Sequence, residues 1–430
     1  GPGSARGPAP RGAGTGDVEA QLGLLDDDAG DFGGVPEDDI GLSQLVAMRQ
    51  RKERQQAHAF KSGHTPVLLD NVLSSLFPTT DFSSEGTYSG TYVDCTFGRG
   101  GHSREILASL GDSGRLYAFD VDPVAIRAAR KLESEDKRFR IIHRPFADLD
   151  AALPDGLHVD GVLMDIGIST PQAVDRHARG FQLSAPEAPD LRFNPEHGVS
   201  AAEWLATASV AELAWVFREY GDPILAERVA THLVCRQQSQ GPFNSAQELA
   251  DTIRQVVPVS LQAGMHCAKL FVTAIRMFLN REIEQLQLGL DAAFRRLKLG
   301  GRCVVITFKP AERDVVRRFV HAHEEPPPVF ESLPAWRLRE LYPLAATDCD
   351  FCVKPRPDAG SRVKPRTLEV QLNYRSRSSG LAVMVKQPRH IARVPGAAPA
   401  RPEGERFREP RPPAFLGASG AEEKERGKKK

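Results

Sequence analysis

Short buried strands alternate with helices along much of this chain, and this alternation restricts the folds that it can adopt. The predicted strands are residues 91–96, 115–120, 139–143 and 159–165, and the predicted helices between them are 101–110 and 123–132. A crossover helix between consecutive strands is typical of parallel pairing. The pattern therefore predicts an α/β fold with a parallel sheet built from βαβ units.

The apolar spacing becomes helical between residues 201 and 256, as at Trp204, Leu205 and Leu213, which predicts an inserted all-helical domain. After it, a long helix is expected over 269–297. The elements expected beyond that are a strand at 301–308, a helix at 312–322 and an antiparallel edge formed by strands at 367–372 and 381–385. Five segments follow from these expectations: a mostly disordered acidic extension (1–62) with a possible basic helix at 42–60, the first part of the α/β core (63–174), the helical insert (175–266), the second part of the core (267–386) and a basic disordered tail (387–430).

Composition excludes several classes of protein. The chain has 56 basic and 56 acidic residues, so its net charge gives no information about partners. Its ends differ: residues 1–50 hold nine acidic and three basic residues, and residues 386–430 hold twelve basic and six acidic residues. No apolar run approaches the ~18 residues of a membrane span. Six cysteines in 430 residues indicate a reducing compartment rather than a disulfide scaffold.

A glycine-rich turn follows the first buried strand, in the sequence YVDCTFGRGGH at residues 92–102. Such a turn lets a ligand approach the backbone beside the free N–H groups of a helix N-terminus. Gly98 and Gly100 fit the start of the dinucleotide pattern, but Ser103 stands where its third glycine belongs. A tight turn without any ligand is the competing interpretation.

An acidic residue, Asp120, ends the second strand, where a carboxylate contacts the ribose hydroxyls of adenosine cofactors. Together with the glycine turn it predicts an adenosine cofactor without a pyrophosphate, and S-adenosylmethionine fits.

Asp165 ends the 159–165 strand at the same edge of the sheet. It suits a hydrogen-bond acceptor for an exocyclic base amine, which promotes methyl transfer by positioning and polarisation. Its alternative role is to cap the following turn.

These motifs resemble the RsmH (MraW) family of rRNA (cytosine-N4)-methyltransferases and its mitochondrial relatives, over residues 64–386. The resemblance rests on HTPVLLD at 64–70, TFGRGGHS at 96–103 and DVDP at 120–123, with SAAEWL at 200–205 in the insert. It implies a class I, Rossmann-like methyltransferase sheet with a helical insert, and S-adenosylmethionine as cofactor. It also implies contacts to that cofactor at Gly98, Gly100, Gly101, His102, Asp120, Phe146, Asp165 and Gln172. His102 is expected to act through its backbone N–H and not as an acid or base, and Phe146 either stacks on adenine or belongs to the core.

The substrate side departs from the family pattern. The family's Asp-Met-Arg-Met-Asp is DLRFN at 190–194, and its Ser-Phe-His-Ser-Leu-Glu-Asp-Arg is TFKPAERD at 307–314. Two functions are therefore carried forward. The first is methylation of a cytidine amine in small-subunit rRNA, with Asp165 as the catalytic residue. The second is a catalytically weakened or inactive assembly factor for the ribosomal small subunit.

The expected partners are small-subunit rRNA or an assembly intermediate of that subunit, with possible further assembly factors and no membrane. The extended ends favour a mitochondrial location, with the cytoplasm as the alternative. Arg375, Arg377 and Lys386 are candidate contacts to RNA phosphates, or simply a solvated surface. Cys349 and Cys352 have the spacing of half a zinc site or of a redox pair, but no second pair lies at the spacing of a zinc finger, and no metal is predicted.

Overall fold

The computed structural model of the protein describes residues 66–77, 88–169, 172, 179–258, 267–330, 332–342, 344, 349–355 and 363–389. Its strands are β1 (Thr91–Asp94), β2 (Arg115–Asp120), β3 (Phe139–His143), β4 (Val159–Asp165), β5 (Leu297–Thr307), β6 (Phe351–Pro355) and β7 (Gly380–Pro388). They form one sheet in the order β3-β2-β1-β4-β5-β7-β6, in which β7 runs antiparallel to both of its neighbours and the other pairings are parallel. The α/β fold with a class I methyltransferase sheet is thus confirmed.

Helices cover both faces of this sheet and form the insert. They are α1 (Leu69–Leu76), α2 (Gly101–Ser109), α3 (Pro123–Glu135), α4 (Leu149–Ala152), α5 (Ala201–Thr207), α6 (Val210–Tyr220), α7 (Ala226–Gln240), α8 (Ala246–Val256), α9 (Ala268–Leu279), α10 (Glu282–Arg296), α11 (Pro310–His323), α12 (Ala335–Leu341) and α13 (Thr367–Leu372). None of the helices in these described ranges is long and apolar enough to cross a membrane.

The alternation of side chains along the strands creates two cores. In β4, Leu163 packs on one face with helices α1, α2 and α3. Its neighbours Val162 and Met164 pack on the other face with α10 and α11. Because successive side chains of a strand point to opposite faces, a central strand covered on both faces is apolar on both sides. This explains the consecutive apolar residues Val162, Leu163 and Met164 in the middle of β4.

The helical insert has a core of its own, built from α5 to α9. Ser200 and Glu203 form a capping box at the start of α5, and Ser209 and Glu212 form a second one at the start of α6. Helix α9 contributes Phe271 and Ile275 to this core. The first helix of the predicted second core part therefore packs with the insert, and the exact domain limits stay a prediction.

The prediction of one long helix over 269–297 is wrong, because the helix is interrupted between α9 and α10. Asn280 ends α9, and its side chain accepts a hydrogen bond from the Phe193 backbone N–H and donates to the Leu191 carbonyl. Arg281 then adopts a left-handed backbone conformation with φ of 51°. The helix ends here because Asn280 is bonded to a loop far away in sequence, which no local pattern reveals.

The strand predicted over 367–372 is also wrong: these residues form α13. The Glu369 carboxylate accepts a hydrogen bond of 2.6 Å from the Leu68 backbone N–H, which ties α13 to the start of α1. The second strand of the antiparallel edge is β6, which pairs with β7. β7 itself extends to Pro388, so the predicted tail begins later than residue 387. The remaining tail, the acidic extension and the basic helix at 42–60 lie outside the described residues.

Candidate active site

A cavity of about 520 Å³ lies at the carboxyl edge of the parallel strands. Seven of the eight predicted cofactor residues line it, namely Gly98, Gly101, His102, Asp120, Phe146, Asp165 and Gln172. They come from the ends of β1, β2, β3 and β4 and from the loops that follow. Ligands of open α/β sheets bind at this edge because the strand-to-helix loops converge there.

The remaining predicted residue, Gly100, stands behind the cavity wall and shapes the turn. Its φ is 77°, and a Cβ atom at this position would lie 2.7 Å from the ring of Phe97. Gly98 also has a positive φ, of 57°, and its N–H donates to the Asp120 carboxylate at 2.7 Å. Glycine is required at position 100 for two reasons, the left-handed backbone and the contact with the ring.

Ser103 has a definite partner in the turn, which the sequence interpretation missed. Its hydroxyl donates to the Asp94 carboxylate at 2.6 Å, and the other Asp94 oxygen accepts from the Thr96 N–H. Burial raises the pKa of Asp94, and the Ser103 hydrogen bond opposes that shift. A serine at the place of the third glycine of a dinucleotide motif therefore connects the first turn of α2 to the end of β1.

Asp120 is oriented by the backbone on both sides. One oxygen accepts from the Gly98 N–H and the other from the Asp122 N–H, at 2.7 and 2.9 Å. Burial raises the pKa of Asp120 to about 6, and these two hydrogen bonds hold it from rising further. Each oxygen of an ionised carboxylate accepts more than one hydrogen bond, so Asp120 keeps acceptor capacity for a pair of hydroxyl groups.

Asp122 joins three distant segments around the cavity and is only 2% exposed. One oxygen caps α3 by accepting from the Val124 N–H. The other accepts from the Gln172 amide at 2.8 Å and from the Arg179 guanidinium at 2.9 Å. Gln172 thus faces a carboxylate in addition to the cavity that it lines. This cluster was not expected from the sequence, because its three members are far apart along the chain.

Phe146 follows β3 and opens a short 3₁₀ turn. Its half-buried ring packs so closely on α10 that a Cβ atom at Gly289 would lie 2.4 Å from it. The ring also lines the cavity. The two interpretations of Phe146 therefore coexist: the ring is fixed by the core and presents part of its surface to the cavity, as an adenine contact requires.

Asp165 stands where β4 ends, and its backbone N–H donates to the Thr96 hydroxyl at 3.0 Å. Burial raises its pKa to about 6, Asp94 adds to this shift, and His102 opposes it. His102 Nδ1 lies 3.7 Å from the Asp165 carboxylate, and the Nε2 of the same ring lies 3.0 Å from the Val67 carbonyl. The imidazole therefore faces the predicted catalytic carboxylate, whereas the sequence interpretation gave His102 only a backbone contact.

The far side of the cavity is built by the insert loop and by the break between α9 and α10. Its lining there consists of Arg192, Phe193, Asn194, His197, Leu279, Asn280, Glu282 and Gln285. Glu282 is held by a buried two-point ion pair with Arg276, with contacts of 2.7 and 2.9 Å. The cavity thus continues from the predicted cofactor residues into a region that belongs to the insert.

The altered segment at 307–314 keeps a regular local structure. Pro310 occupies the first turn of α11, where proline is favoured. Glu312 accepts hydrogen bonds from the Phe308 and Lys309 backbone N–H groups, which caps the helix. Burial raises the pKa of Glu312 to about 7. Burial lowers the pKa of Lys309, and the positive charge of nearby Arg276 lowers it further. Of these residues Phe308 lines the cavity.

The structure describes two peripheral features, a lysine and a cysteine pair. Lys386 is not an RNA contact: its ammonium is buried and donates to the Phe294 and Leu297 carbonyls at 2.7 and 2.9 Å.

Cys352 is buried with its sulfur 3.7 Å from a Glu325 oxygen, and it forms no disulfide with Cys349. Within the described ranges, no group of three or more His, Cys, Asp and Glu side chains is placed to hold a metal ion.

The cavity residues suit S-adenosylmethionine. Asp120 offers acceptor capacity for the ribose, Phe146 offers an aromatic surface for adenine, and the turn from Gly98 to Gly101 leaves room and N–H groups at the start of α2. Asp165 and His102 line the same cavity. The third glycine of a pyrophosphate-binding motif is replaced by Ser103, whose hydroxyl is bonded to Asp94.

Residues 61–387 match the MraW methylase family. Among curated relatives, the ribosomal RNA small subunit methyltransferase H of Burkholderia mallei is 42% identical over 327 residues, covering 74% of this chain and 96% of the relative. That of Burkholderia ambifaria is 42% identical over 325 residues, with the same coverage. A solved methyltransferase of Streptococcus mutans in complex with SAH has 13% identity and a TM-score of 0.30, covering 70% of this chain and 91% of its own. The chain belongs to the MraW methylase family and is an S-adenosylmethionine-dependent methyltransferase.

Proposed function

We propose that the protein methylates the exocyclic N4 amine of a cytidine in small-subunit ribosomal RNA. The observation that carries this proposal is the position of Asp165. Its side chain lines a cavity that is also lined by the predicted cofactor residues and by residues of the insert loop. The curated relatives, which are named as small-subunit rRNA methyltransferases, support the same substrate.

The chemistry of an amine explains why a carboxylate belongs at this place. The lone pair of the cytosine N4 amine is delocalised into the ring, which makes the nitrogen a weak nucleophile. An ionised Asp165 accepts a hydrogen bond from the amine and favours the pyramidal form, in which the lone pair is available. A carboxyl group with a pKa of about 6 is also suited to take up the proton that the methylated nitrogen releases.

S-adenosylmethionine supplies an electrophilic methyl group and leaves as a neutral thioether. No acid is therefore needed for the departing group, and the task of the protein is positioning and hydrogen bonding. The backbone fixes Asp120 through Gly98 and Asp122, and Thr96 fixes the end of β4 through the Asp165 N–H. These groups are arranged by the sheet before any ligand binds.

Methylation of the cytosine ring carbon is the competing chemistry, and the thiol in the cavity argues against it. Methylation of a cytosine ring carbon requires a thiolate that acts as a nucleophile on the ring. Cys95 lines the cavity but is 1% exposed, and burial raises the pKa of its thiol well above its ordinary value. A buried neutral thiol beside an available carboxylate favours the amine as the site of methylation.

The direct test is methyl transfer from labelled S-adenosylmethionine to a small-subunit rRNA fragment, followed by digestion and identification of the modified nucleoside. N4-methylcytidine is the expected product, and Asp165→Asn is expected to lower the single-turnover rate at saturating cofactor by at least 100-fold. Label in 5-methylcytidine, or a full rate in the Asp165→Asn variant, would contradict the proposal.

The weakened assembly factor is the second function carried forward, and the altered residues near Lys309 were its motivation. Glu312 accepts hydrogen bonds from two of these backbone N–H groups, so the altered residues begin a regularly capped helix and the local structure is intact. An active enzyme is therefore favoured. Catalysis and assembly are separated by a complementation test: an assembly role alone predicts that Asp165→Asn restores subunit maturation as well as the unmodified chain does.

We further propose that the protein works in mitochondria, on the small subunit of the mitochondrial ribosome, with other assembly factors as possible partners. The support is that the family match covers residues 61–387, which leaves long segments of biased composition on both sides. Fractionation of cells with an antibody against the natural protein tests this proposal. Recovery in the cytoplasmic fraction would favour the alternative location.

A further inference from the structure

An exposed aromatic side chain with a stacked cation lies on the turn before β7. The Tyr374 side chain is 67% exposed, and the guanidinium carbon of Arg377 lies 4.0 Å from the centre of its ring. Arg377 also donates to the Tyr374 carbonyl at 3.2 Å. One face of the ring is therefore covered by a held guanidinium, while most of the ring surface remains open to solvent.

The turn that carries this pair is anchored to the fold. Ser376 and Ser379 are buried, and the Ser379 N–H and hydroxyl both donate to the Ser376 carbonyl at 2.7 Å. β7 begins at the next residue, Gly380, whose partner in β5 is Thr307. Tyr374 thus projects from a fixed turn, which reduces the entropy that a ligand loses on stacking against it.

The segment lies at the same edge of the sheet as the cavity and contacts residues that are adjacent in sequence to two parts of its wall. Thr307, the partner of Gly380, is followed by Phe308, which lines the cavity. On the other side Glu369 binds the Leu68 N–H, next to Val67, which also lines the cavity. A polymer whose reacting unit enters the cavity therefore passes close to this turn.

The charge of the segment fits an anionic polymer. Residues 363–379 contain four basic side chains and one acidic side chain, namely Lys364, Arg366, Arg375, Arg377 and Glu369. Lys364, Arg366 and Arg377 are exposed, whereas the Glu369 carboxylate is committed to the Leu68 N–H. Exposed aromatic rings among cations are the features that bind single-stranded nucleic acid, by stacking on bases and by attraction of phosphates.

We propose that Tyr374 and Arg377 form a stacking platform for an unpaired base that neighbours the target nucleotide in the RNA substrate. The proposal rests on the proposed function, since it assigns a second contact to the same substrate. A base stacks on the open face of the Tyr374 ring, and the guanidinium on the opposite face strengthens the stack through its charge and contacts a phosphate. The target nucleotide must leave its own stack to enter the cavity, and the platform holds the strand in that opened form.

The test measures binding of the full chain to the same small-subunit rRNA fragment, and to short oligo(A) and oligo(U). Tyr374→Ala and Tyr374→Leu are expected to weaken binding by about tenfold, with a larger loss for oligo(A), whose bases stack better. Tyr374→Trp is expected to bind at least as well as the unmodified chain. Trp336→Ala is the matched control, because Trp336 is 64% exposed on α12, does not line the cavity and lacks a stacked guanidinium in the described structure.

Arg377 is tested through the dependence of binding on salt. Arg377→Ala is expected to reduce the slope of log affinity against log salt by about 0.7, the contribution of one phosphate on a single strand. Arg377→Lys is expected to keep the slope and lose part of the affinity. The Tyr374 variants are expected to keep the slope, because they remove stacking and no charge.

The outcomes separate this proposal from the proposed function. Equal binding of Tyr374→Ala, Tyr374→Leu and the unmodified chain would overturn the platform while methyl transfer continues. Competition by sodium polyglutamate as effective as that by RNA would overturn it in favour of an acidic protein partner. Absence of both rRNA binding and methyl transfer in the unmodified chain would overturn the proposed function itself, and the platform with it.

Discussion

His102 holds its two ring nitrogens between a backbone carbonyl and a carboxylate: Nε2 lies 3.0 Å from the Val67 carbonyl, and Nδ1 lies 3.7 Å from Asp165. A carbonyl only accepts hydrogen bonds, so Nε2 carries the proton. Nδ1 is then the ring nitrogen that faces the carboxyl group proposed for catalysis. Positive charge on the His102 ring opposes the rise in the pKa of Asp165 that burial causes, and so favours the ionised form, which accepts a hydrogen bond from an amine.

The first prediction concerns the pH dependence of methyl transfer. The pKa of Asp165 is about 6, above its ordinary value, so the carboxyl group is protonated and inactive as an acceptor below that pH. At saturating cofactor and RNA, the single-turnover rate is expected to rise with pH through about 6 and then level off. His102→Gln keeps a donor for the Val67 carbonyl and removes the effect that lowers the Asp165 pKa, so the midpoint is expected to move upward. The pH profile of the single-turnover rate measures this midpoint. An unchanged midpoint in His102→Gln would contradict the effect of His102 on the pKa of Asp165.

The second prediction concerns the ribose contact. Asp120→Asn keeps the size of the side chain and removes the charge, and it is expected to weaken S-adenosylmethionine binding by at least tenfold. The reason is the loss of one hydrogen bond to a charged acceptor, since the amide keeps one accepting oxygen, and such a bond contributes about 1.5–3 kcal/mol. Calorimetric titration measures the effect, with Asp112→Asn as an exposed control away from the cavity. Unchanged affinity in Asp120→Asn would remove the ribose assignment.

The third prediction compares two glycines with similar backbone conformations. Gly100 and Gly156 have φ of 77° and 70°, but an added Cβ meets the Phe97 ring at Gly100 and nothing within 4 Å at Gly156. Both alanine variants carry the cost of a left-handed backbone, so their difference isolates the steric contact. Gly100→Ala is expected to lose about 1–3 kcal/mol more unfolding free energy, by urea denaturation, and to bind the cofactor more weakly. Equal losses would show that Phe97 yields without cost.

The fourth prediction tests the buried ion pair between Asp122 and Arg179, whose side chains are 2% and 10% exposed. Arg179→Met leaves a buried carboxylate without its cation and is expected to cost about 3–5 kcal/mol of unfolding free energy. Adding Asp122→Asn to that variant removes the uncompensated charge and is expected to recover part of the loss. Arg130→Ala is the control: the Arg130 side chain is 55% exposed, its partner Glu133 keeps a second cation in Arg140, and the expected change in stability is about 0.5 kcal/mol or less. A cost in Arg179→Met no larger than the control would mean that the pair is not structurally important.

Local patterns account for the parts of the fold that the sequence predicts correctly. The four parallel strands from β1 to β4 are apolar runs that end in turns, and Asp94, Asp120 and Asp165 mark the ends of three of them. Because the carboxyl ends of parallel strands share one edge of the sheet, the approximate position of the cavity followed from the order of these elements. These features depend on neighbours in sequence, which is why they are visible there.

The features that were missed depend on partners distant in sequence. Residues 367–372 alternate as a strand would, and they form a helix whose Glu369 binds the Leu68 N–H. The break at Asn280 depends on Leu191 and Phe193, and the role of Asp122 depends on Gln172 and Arg179. In each case a side chain satisfies a buried backbone or charged group elsewhere, and tertiary hydrogen bonds of this kind override the local preference.

The cap at the start of α11 separates the folding of this segment from the identity of one of its side chains. Glu312 satisfies the Phe308 and Lys309 N–H groups from within the helix, and Pro310 fits its first turn. Phe308 and Ala311 pack against the cores of the sheet, whereas the Lys309 side chain is not needed to begin the helix. Position 309, next to Phe308 in the cavity wall, can therefore carry a different side chain while the methyl-donor side of the cavity keeps its structure.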